Sequence, residues 1–571
     1  MLILKKAVLF FRRVLKFAWK RWDILAYQLW ILRYDRLDSR LKKTALTKIE
    51  AFHLNPVISV VMVGSCKSEK LFYQSASSVI KQLYSNWELI VLIEKNMPPL
   101  LVNKMKKFAT QDHRIKIIDL GDSRKISSEC TFLGLMMYGD SLTQDALYQV
   151  VQRLQHQPNT DIFYSDHDHL NRWGMRCKPY FKGGFDPYLI VSRNELMPFC
   201  VVRKTLLREE AVFCGTFNGV AAWDFVFHCV EKTNKIFHIP HILYHQWQFL
   251  QPISIIDGQK VIEQHLQRCG IAAEVCNNRV VYALPAVLPF VSIIIPTKDG
   301  LDMLRPCIES IFATTEYANL EVIIVNNNSQ KSETLTYFEK IRSEQIKIVS
   351  YPGPFNFSKI NNFAVQQAKG EILLFLNNDI EAIEKGWFES MLSMLLQKNV
   401  GIVGAKLYYA DERVQHAGVV LEFPASALHV YAGLPREQSG YFGKINFAQC
   451  CSAVTGACLM MTRSLFEQIG GFDESFPVTW NDADLCTKVR QLGYVIVYDP
   501  AAQLYHKESG TRGRDTTPEK RALNEVATRR FFEKWSMVMA CDPHYNPNLS
   551  LGYPGYYLAF VPRGLSRIAG H

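Results

Sequence analysis

The chain has 571 residues, 48% of them hydrophobic and 21% charged, which excludes a disordered polymer and predicts about two to four packed domains. Its 14 cysteines include no Cys-x-x-Cys pair, and Cys450 and Cys451 are adjacent, which argues against a zinc ribbon or disulfide scaffold and fits a reducing compartment. A net charge of +11 points to an anionic partner, and no apolar run reaches the ~18–20 residues needed to span a bilayer.

Residues 3–32 fit an amphipathic helix. Lys5, Lys6, Arg12, Arg13, Lys16 and Lys20 fall on one side; Phe10, Phe11, Val14, Leu15, Ala18, Trp22, Leu25 and Leu29 fall on the other. This is the composition of a helix lying on an anionic membrane surface. A helix packed on its own protein, or at a dimer interface, would carry the same pattern. The basic residues, Arg21 included, interrupt any signal peptide. Residues 35–55 are polar and helical in character and read as a linker, so that 1–55 form a leading segment.

A first α/β domain is expected over 56–285. Strand 57–63, helix 71–83 and strand 87–93 have the spacing of a parallel βαβ unit. A second is expected over 289–540, and its strand 290–296 repeats the first. At one offset, without a gap, Ser59 meets Ser292, Ser77 meets Ser310, Tyr84 meets Tyr317, Asn86 meets Asn319 and Glu88 meets Glu321. Residues 239–245 likewise resemble 499–506, so the chain reads as an internal duplication. The tail, 541–571, is rich in Pro, Gly and Tyr and shows no readable chemistry.

In the second copy, polar clusters stand at successive strand ends, where open α/β sheets bind ligands. They are Pro296-Thr297-Lys298-Asp299, Asn326-Asn327-Asn328-Ser329 and Asn377-Asn378-Asp379. Trp480-Asn481-Asp482-Ala483-Asp484 precedes a helix, and His506 closes another strand. A hard carboxylate at Asp379 could hold a divalent cation, and the cation a phosphate.

In this order the runs resemble inverting nucleotide-sugar glycosyltransferases of family 2, with the GT-A fold. They are Val291-Ser292-Ile293-Ile294-Ile295-Pro296-Thr297, Phe375-Leu376-Asn377-Asn378-Asp379, Thr455-Gly456-Ala457-Cys458, Gly470-Gly471-Phe472-Asp473-Glu474, Asn481-Asp482-Ala483-Asp484-Leu485-Cys486 and Leu504-Tyr505-His506-Lys507-Glu508-Ser509. The resemblance is nearest to bacterial enzymes of O-antigen and other surface-polysaccharide assembly, many of them rhamnosyltransferases. It implies two tandem GT-A domains behind the basic helix. It also implies a nucleotide-sugar donor, a lipid-linked or polysaccharide acceptor, and Mn²⁺ or Mg²⁺.

By the same resemblance, Pro296, Thr297, Asp299 and Asn378 would line the nucleotide pocket. Asn326 would face the base, and Asn377 and Asp379 would stand at the outer positions of an Asp-x-Asp. Asp379 and His506 would bind the metal, with imidazole favouring Mn²⁺. Asp482 would be the catalytic base. Trp480 could stack on a sugar and Asp484 could cap its helix. Lys507, Arg512 and Arg514 could hold the diphosphate.

In the first copy, Met137-Tyr138-Gly139 stand where the second has Asn377-Asn378-Asp379. Ala222 replaces Asp482 and Ile93 replaces Asn326, whereas Asp140, Asp224 and His245 persist. Asp166-His167-Asp168-His169 reads as a remnant that could bind a metal. Catalysis is thus expected in the second copy, at the inner face of the cytoplasmic membrane, in a protein that could be a homo-oligomer. The competing reading is a non-catalytic nucleotide- or glycan-binding scaffold. A dehydrogenase lacks its Gly-x-Gly-x-x-Gly turn, and nucleic-acid binding lacks a recognition motif.

Overall fold

The computed structural model describes residues 24–563, apart from 65, 67, 121–129, 208–218, 248–254, 278, 423–425, 508–516 and 537–540. Most of the basic helix expected over 3–32, and both Arg512 and Arg514, lie outside the described residues.

Two mixed sheets carry the chain, and their topologies are the same. The first runs Ile115–Asp119, Trp87–Ile93, Ile58–Val63, Phe132–Met137, Cys200–Arg203, Ile162–Leu170, Ile236–Gln246, Ser141–Leu142. The second runs Ile346–Ser350, Leu320–Asn326, Val291–Thr297, Ile372–Leu376, Cys458–Thr462, Val400–Tyr408, Val495–His506, Ile380–Ala382. The leading strands are buried along nearly their whole length, as strands covered on both faces must be.

The duplication extends to single hydrogen bonds. Ser59 Oγ donates to Glu88, and Ser292 Oγ donates to Glu321 (2.6 Å). Tyr84 and Tyr317 each close a loop on a proline carbonyl, of Pro56 and Pro289. Register fixes the counterparts. Ser59 pairs with Glu88 and Leu133, and Ser292 with Glu321 and Leu373. Counting on from these pairs, Met137-Tyr138-Gly139 occupy the places of Asn377-Asn378-Asp379, and Ile93 that of Asn326.

Three segments differ from expectation. Residues expected as a linker include the α-helix Ser39–Glu50, which is capped by Asp38 and buries Ala45 in the first core. Its apolar face gives it a packing partner that a linker lacks. The leading helix, described from residue 24, turns Tyr27 and Trp30 into the protein while Leu25 and Leu29 stay 51% and 59% exposed. The tail is not featureless either: residues 542–563 lie across both domains, with Asp542, Tyr545 and Asn546 buried.

Asp166 and Asp168 are structural locks, which corrects the metal reading. Asp168 accepts from Tyr27 Oη and Arg176 Nε, both at 2.6 Å, and lies 2.6 Å from His245 Nδ1. Asp166 takes Lys182 N, His238 Nε2 and Asn546 Nδ2, each at 2.8 Å. Every carboxylate oxygen of the pair is engaged by a donor, and among the described residues Asp166, His167, Asp168 and His169 do not gather three ligand atoms within reach of one ion.

Candidate active site

The strand ends of the second sheet open onto a cavity of 1430 Å³. Pro296, Thr297, Asn377, Asn378, Asp379, Asp482, His506 and Lys507 all line it. Residues separated by over 200 positions therefore share one space, because parallel strands deliver their carboxyl ends to one edge.

Asp379 and His506 are brought together by the ladder itself. Ile380 pairs with His506, and Lys507 N donates to the Asp379 carbonyl (3.0 Å). Asp379 is 7% exposed, and its Oδ1 makes no hydrogen bond; His506 Nε2 stands 3.2 Å from it. Gln415 decides the state of that imidazole. Its Nε2 donates to the His506 carbonyl (3.4 Å), which can only accept, so its Oε1 faces His506 Nδ1 at 2.7 Å. Nδ1 then carries a proton, and Nε2 is turned toward Asp379. Asn377 turns its Nδ2, an N–H donor, to 3.4 Å from the same nitrogen. An unpartnered buried carboxylate oxygen beside an imidazole nitrogen makes a donor pair that suits a divalent cation. In the first copy the equivalent glycine has no such donor.

Asp482 stands in the first turn of the helix Asn481–Gln491. Its Oδ2 accepts from Gly456 N (2.9 Å) and its Oδ1 from Ala483 N (2.8 Å). The helix N-terminus favours its charge, and each oxygen keeps a second lone pair for an incoming hydroxyl.

The other expected residues divide. Asn378 donates to Thr297 Oγ1 (2.9 Å) and so braces two strand ends. Asp299 and Asn326 are not among the cavity-lining residues. Asp299 accepts from Gln330 N and Lys331 N (both 2.9 Å), and Asn326 Oδ1 accepts from Ser329 N (2.8 Å). Asn326 serves its own turn and Asp299 ties its loop to the loop after the neighbouring strand, and Asn327 lines the cavity instead. Trp480 turns away, stacking on Phe531 at 4.5 Å and donating to Thr528 (2.9 Å). Asp484 is wholly buried and accepts from Trp535 Nε1 (2.9 Å) and Lys534 (2.7 Å). It thereby locks the helix Pro518–Trp535 onto the domain. Lys507 lies 2.5 Å from Glu381.

Sequence reading missed Gln415, Phe355, Arg413 and Tyr553, of which the last three line the cavity. The alternation Val414-Gln415-His416 after a strand and turn was the one available signal for Gln415.

Residues 292–470 match the model of glycosyl transferase family 2, a span that ends before Asp482 and His506. The chain is 35% identical over 526 residues to the uncharacterized protein y4gI of Sinorhizobium fredii, covering 87% of this chain and 58% of that one. It is 33% identical over 520 residues to the O-antigen biosynthesis protein RfbC of Myxococcus xanthus, covering 87% and 40%. A stretch of 62 residues is 39% identical to an N-acetylglucosaminyl-diphospho-decaprenol L-rhamnosyltransferase of Mycobacterium tuberculosis, covering 11% and 20%. The chain thus spans roughly half the length of the first two relatives. The family match lies on the strand ends that build the cavity, so that residues 292–470 of the second domain are similar to glycosyl transferase family 2.

Proposed function

We propose that this chain is an inverting glycosyltransferase that moves a sugar from a nucleoside-diphosphate donor to a growing surface glycan. The observation that carries this reading is the meeting of Asp379 and His506 with Asp482 in one cavity. Asp482 takes the proton of an acceptor hydroxyl as that oxygen attacks the anomeric carbon. One displacement inverts the centre and needs no enzyme nucleophile. Asp379 and His506 would hold a divalent cation, which when bound neutralises charge on the departing diphosphate. The imidazole favours Mn²⁺ over Mg²⁺.

We divide the chain at 56–285 and 289–540, with catalysis in the second domain alone. Rhamnose as the sugar, a polyprenyl-linked glycan as acceptor and a homo-oligomeric state complete the proposal. Heat of binding for dTDP-, UDP- and GDP-sugars, with Mn²⁺ present, tests the donor. Asp482-dependent hydrolysis of the bound donor separates an enzyme from a scaffold that only binds.

We place the protein at the cytoplasmic face of the membrane. Leu25, Leu29 and Leu32 form an exposed stripe directly after the basic sequence, and no described helix is long and apolar enough to cross a bilayer. Removing residues 1–23, which spares Tyr27 and Trp30, shifts the protein to the soluble fraction. Unchanged fractionation would count against the surface contact.

A further inference from the structure

We propose that the C-terminal tail builds an acceptor-glycan subsite around Tyr553, and that the first domain serves to hold that tail in place. The inference rests on the glycosyltransferase reading, and adds a subsite and a role for the copy that lost its chemistry.

The tail is seated on the first domain by a built strip. Gly184 N donates to the Pro543 carbonyl (2.8 Å). The backbones approach so closely that a Cβ on Gly183 would lie 2.6 Å from the His544 carbonyl oxygen. No real side chain tolerates that distance against backbone. Asn546, 2% exposed, donates to Asp166 Oδ2 and to the Lys182 carbonyl, both at 2.8 Å. Asn548 donates to the Pro240 carbonyl (3.0 Å). Asp166 of the first copy is therefore a tail anchor.

Beyond the anchor the tail crosses to the second domain. Gly555 N donates to the Gly552 carbonyl (2.7 Å), closing a turn with Tyr553 and Pro554 at its tip. Tyr431 N donates to the Pro554 carbonyl (2.8 Å). Tyr556 lies between Tyr431 and Tyr441, with centroids 4.8 and 4.9 Å apart and rings within 18° of parallel. Tyr441 in turn stacks on Tyr180 of the first domain at 5.7 Å. Four tyrosines thus run without a break from the first domain to the turn.

The turn presents Tyr553, 66% exposed, to the same cavity that Asp379 and Asp482 line. Phe355, 50% exposed, lines it too. Exposed aromatic surface rimmed by polar groups marks a binding groove. The electron-rich face of a ring attracts the polarised C–H face of a pyranose. A volume of 1430 Å³ exceeds the roughly 300–1,000 Å³ of a single small-molecule site, leaving room beside a donor. The donor's expected contacts are strand ends of the sheet. Tyr553 belongs to a wall the sheet does not make, so it meets the acceptor.

The test is saturation-transfer NMR on the full chain with dTDP and Mn²⁺ present. The probes are the methyl glycosides of α-L-rhamnose, β-N-acetylglucosamine, α-mannose and β-galactose. At least one should receive saturation. Tyr553→Ala should cut that transfer by about 3- to 10-fold, while Tyr553→Phe keeps it. Gly183→Ala, which pushes the tail from its seat without touching the cavity, should lower it as Tyr553→Ala does. Absence of transfer to every glycoside, indifference to Tyr553→Ala, or an equal loss in Tyr553→Phe would each overturn the subsite. Unchanged transfer in Gly183→Ala would overturn the anchoring role. Binding of dTDP, UDP and GDP is measured in parallel. Nucleotide binding with transfer indifferent to Tyr553 sinks only the tail proposal; failure of all three nucleotides sinks the glycosyltransferase reading itself.

Discussion

Gln415→Met should weaken divalent-cation binding without removing any proposed ligand. Methionine matches glutamine in length but offers neither the acceptor at 2.7 Å from His506 Nδ1 nor the donor to its carbonyl. The imidazole is then free to carry its proton on Nε2, which withdraws the lone pair from the side of Asp379. Partners of this kind are worth about 10- to 100-fold in metal affinity, or ~1.4–2.7 kcal/mol. Gln415→Glu keeps an acceptor at Nδ1 and should bind within about threefold of the parent. The assay follows free Mn²⁺ by its paramagnetic resonance signal as the ion is titrated into full-length protein with excess dTDP or UDP. Thermal unfolding confirms that each variant is folded. A folded Gln415→Met that binds Mn²⁺ as tightly as the parent would refute the tautomer argument, and with it His506 as a ligand.

Asp482→Asn should lower sugar transfer by about 10²- to 10⁴-fold with nucleotide binding unchanged, the signature of a lost base; calorimetry and turnover measured together check it. Asp484→Ala should cost roughly 2–4 kcal/mol of stability. It strands the Trp535 indole N–H, while Lys534 keeps its ion pair with Asp473 (2.7 Å), which softens the loss, and denaturant titration reads the change. Burial pushes the Asp140 carboxyl up to about 7 in the first domain. Its folded value lies above its unfolded one, so its contribution to stability is full below about pH 4 and is lost as pH rises toward 7. Asp140→Asn should flatten that part of the profile, seen as a smaller fall in melting temperature between pH 5 and 8.

Local pattern and spacing carried much of this architecture. Ser59, Tyr84, Asn86 and Glu88 were legible because each makes the same hydrogen bond as its counterpart 233 positions on. The Ser77–Ser310 match, in contrast, slips by one residue: Ser78, not Ser77, makes the bonds of Ser310, to the carbonyl one turn back and from the strand that follows the site. Asp379 and His506 were legible because strand ends are where a parallel sheet delivers its ligands. Asn326 and Asp299 show the limit of that rule. A polar residue at a strand end can as readily satisfy the N–H groups of its own turn, as Asn326 does, or of the loop beside it, as Asp299 does, and among three consecutive asparagines only Asn327 reaches the cavity. Trp480 was ambiguous for a related reason: its neighbour Phe531 lies some 50 positions later and leaves no local trace. Gln415 and Tyr553 act through partners brought near only by the whole fold. The remnant Asp166 and Asp168 kept a metal site's residue types while their donors came from both ends of the chain.

The grip of Asn546 on Asp166 has a consequence in time. The two residues are 380 positions apart, and Asn546 reaches the Lys182 carbonyl across 364. Synthesis proceeds from the N-terminus, so nearly the entire second domain is made before the buried Asp166 Oδ2 receives its last donor. Contacts of such separation form late, because the intervening chain must first be ordered. The first domain is thus the earlier half to be translated and the later half to be finished, its interior closed only once Asn546 has been made.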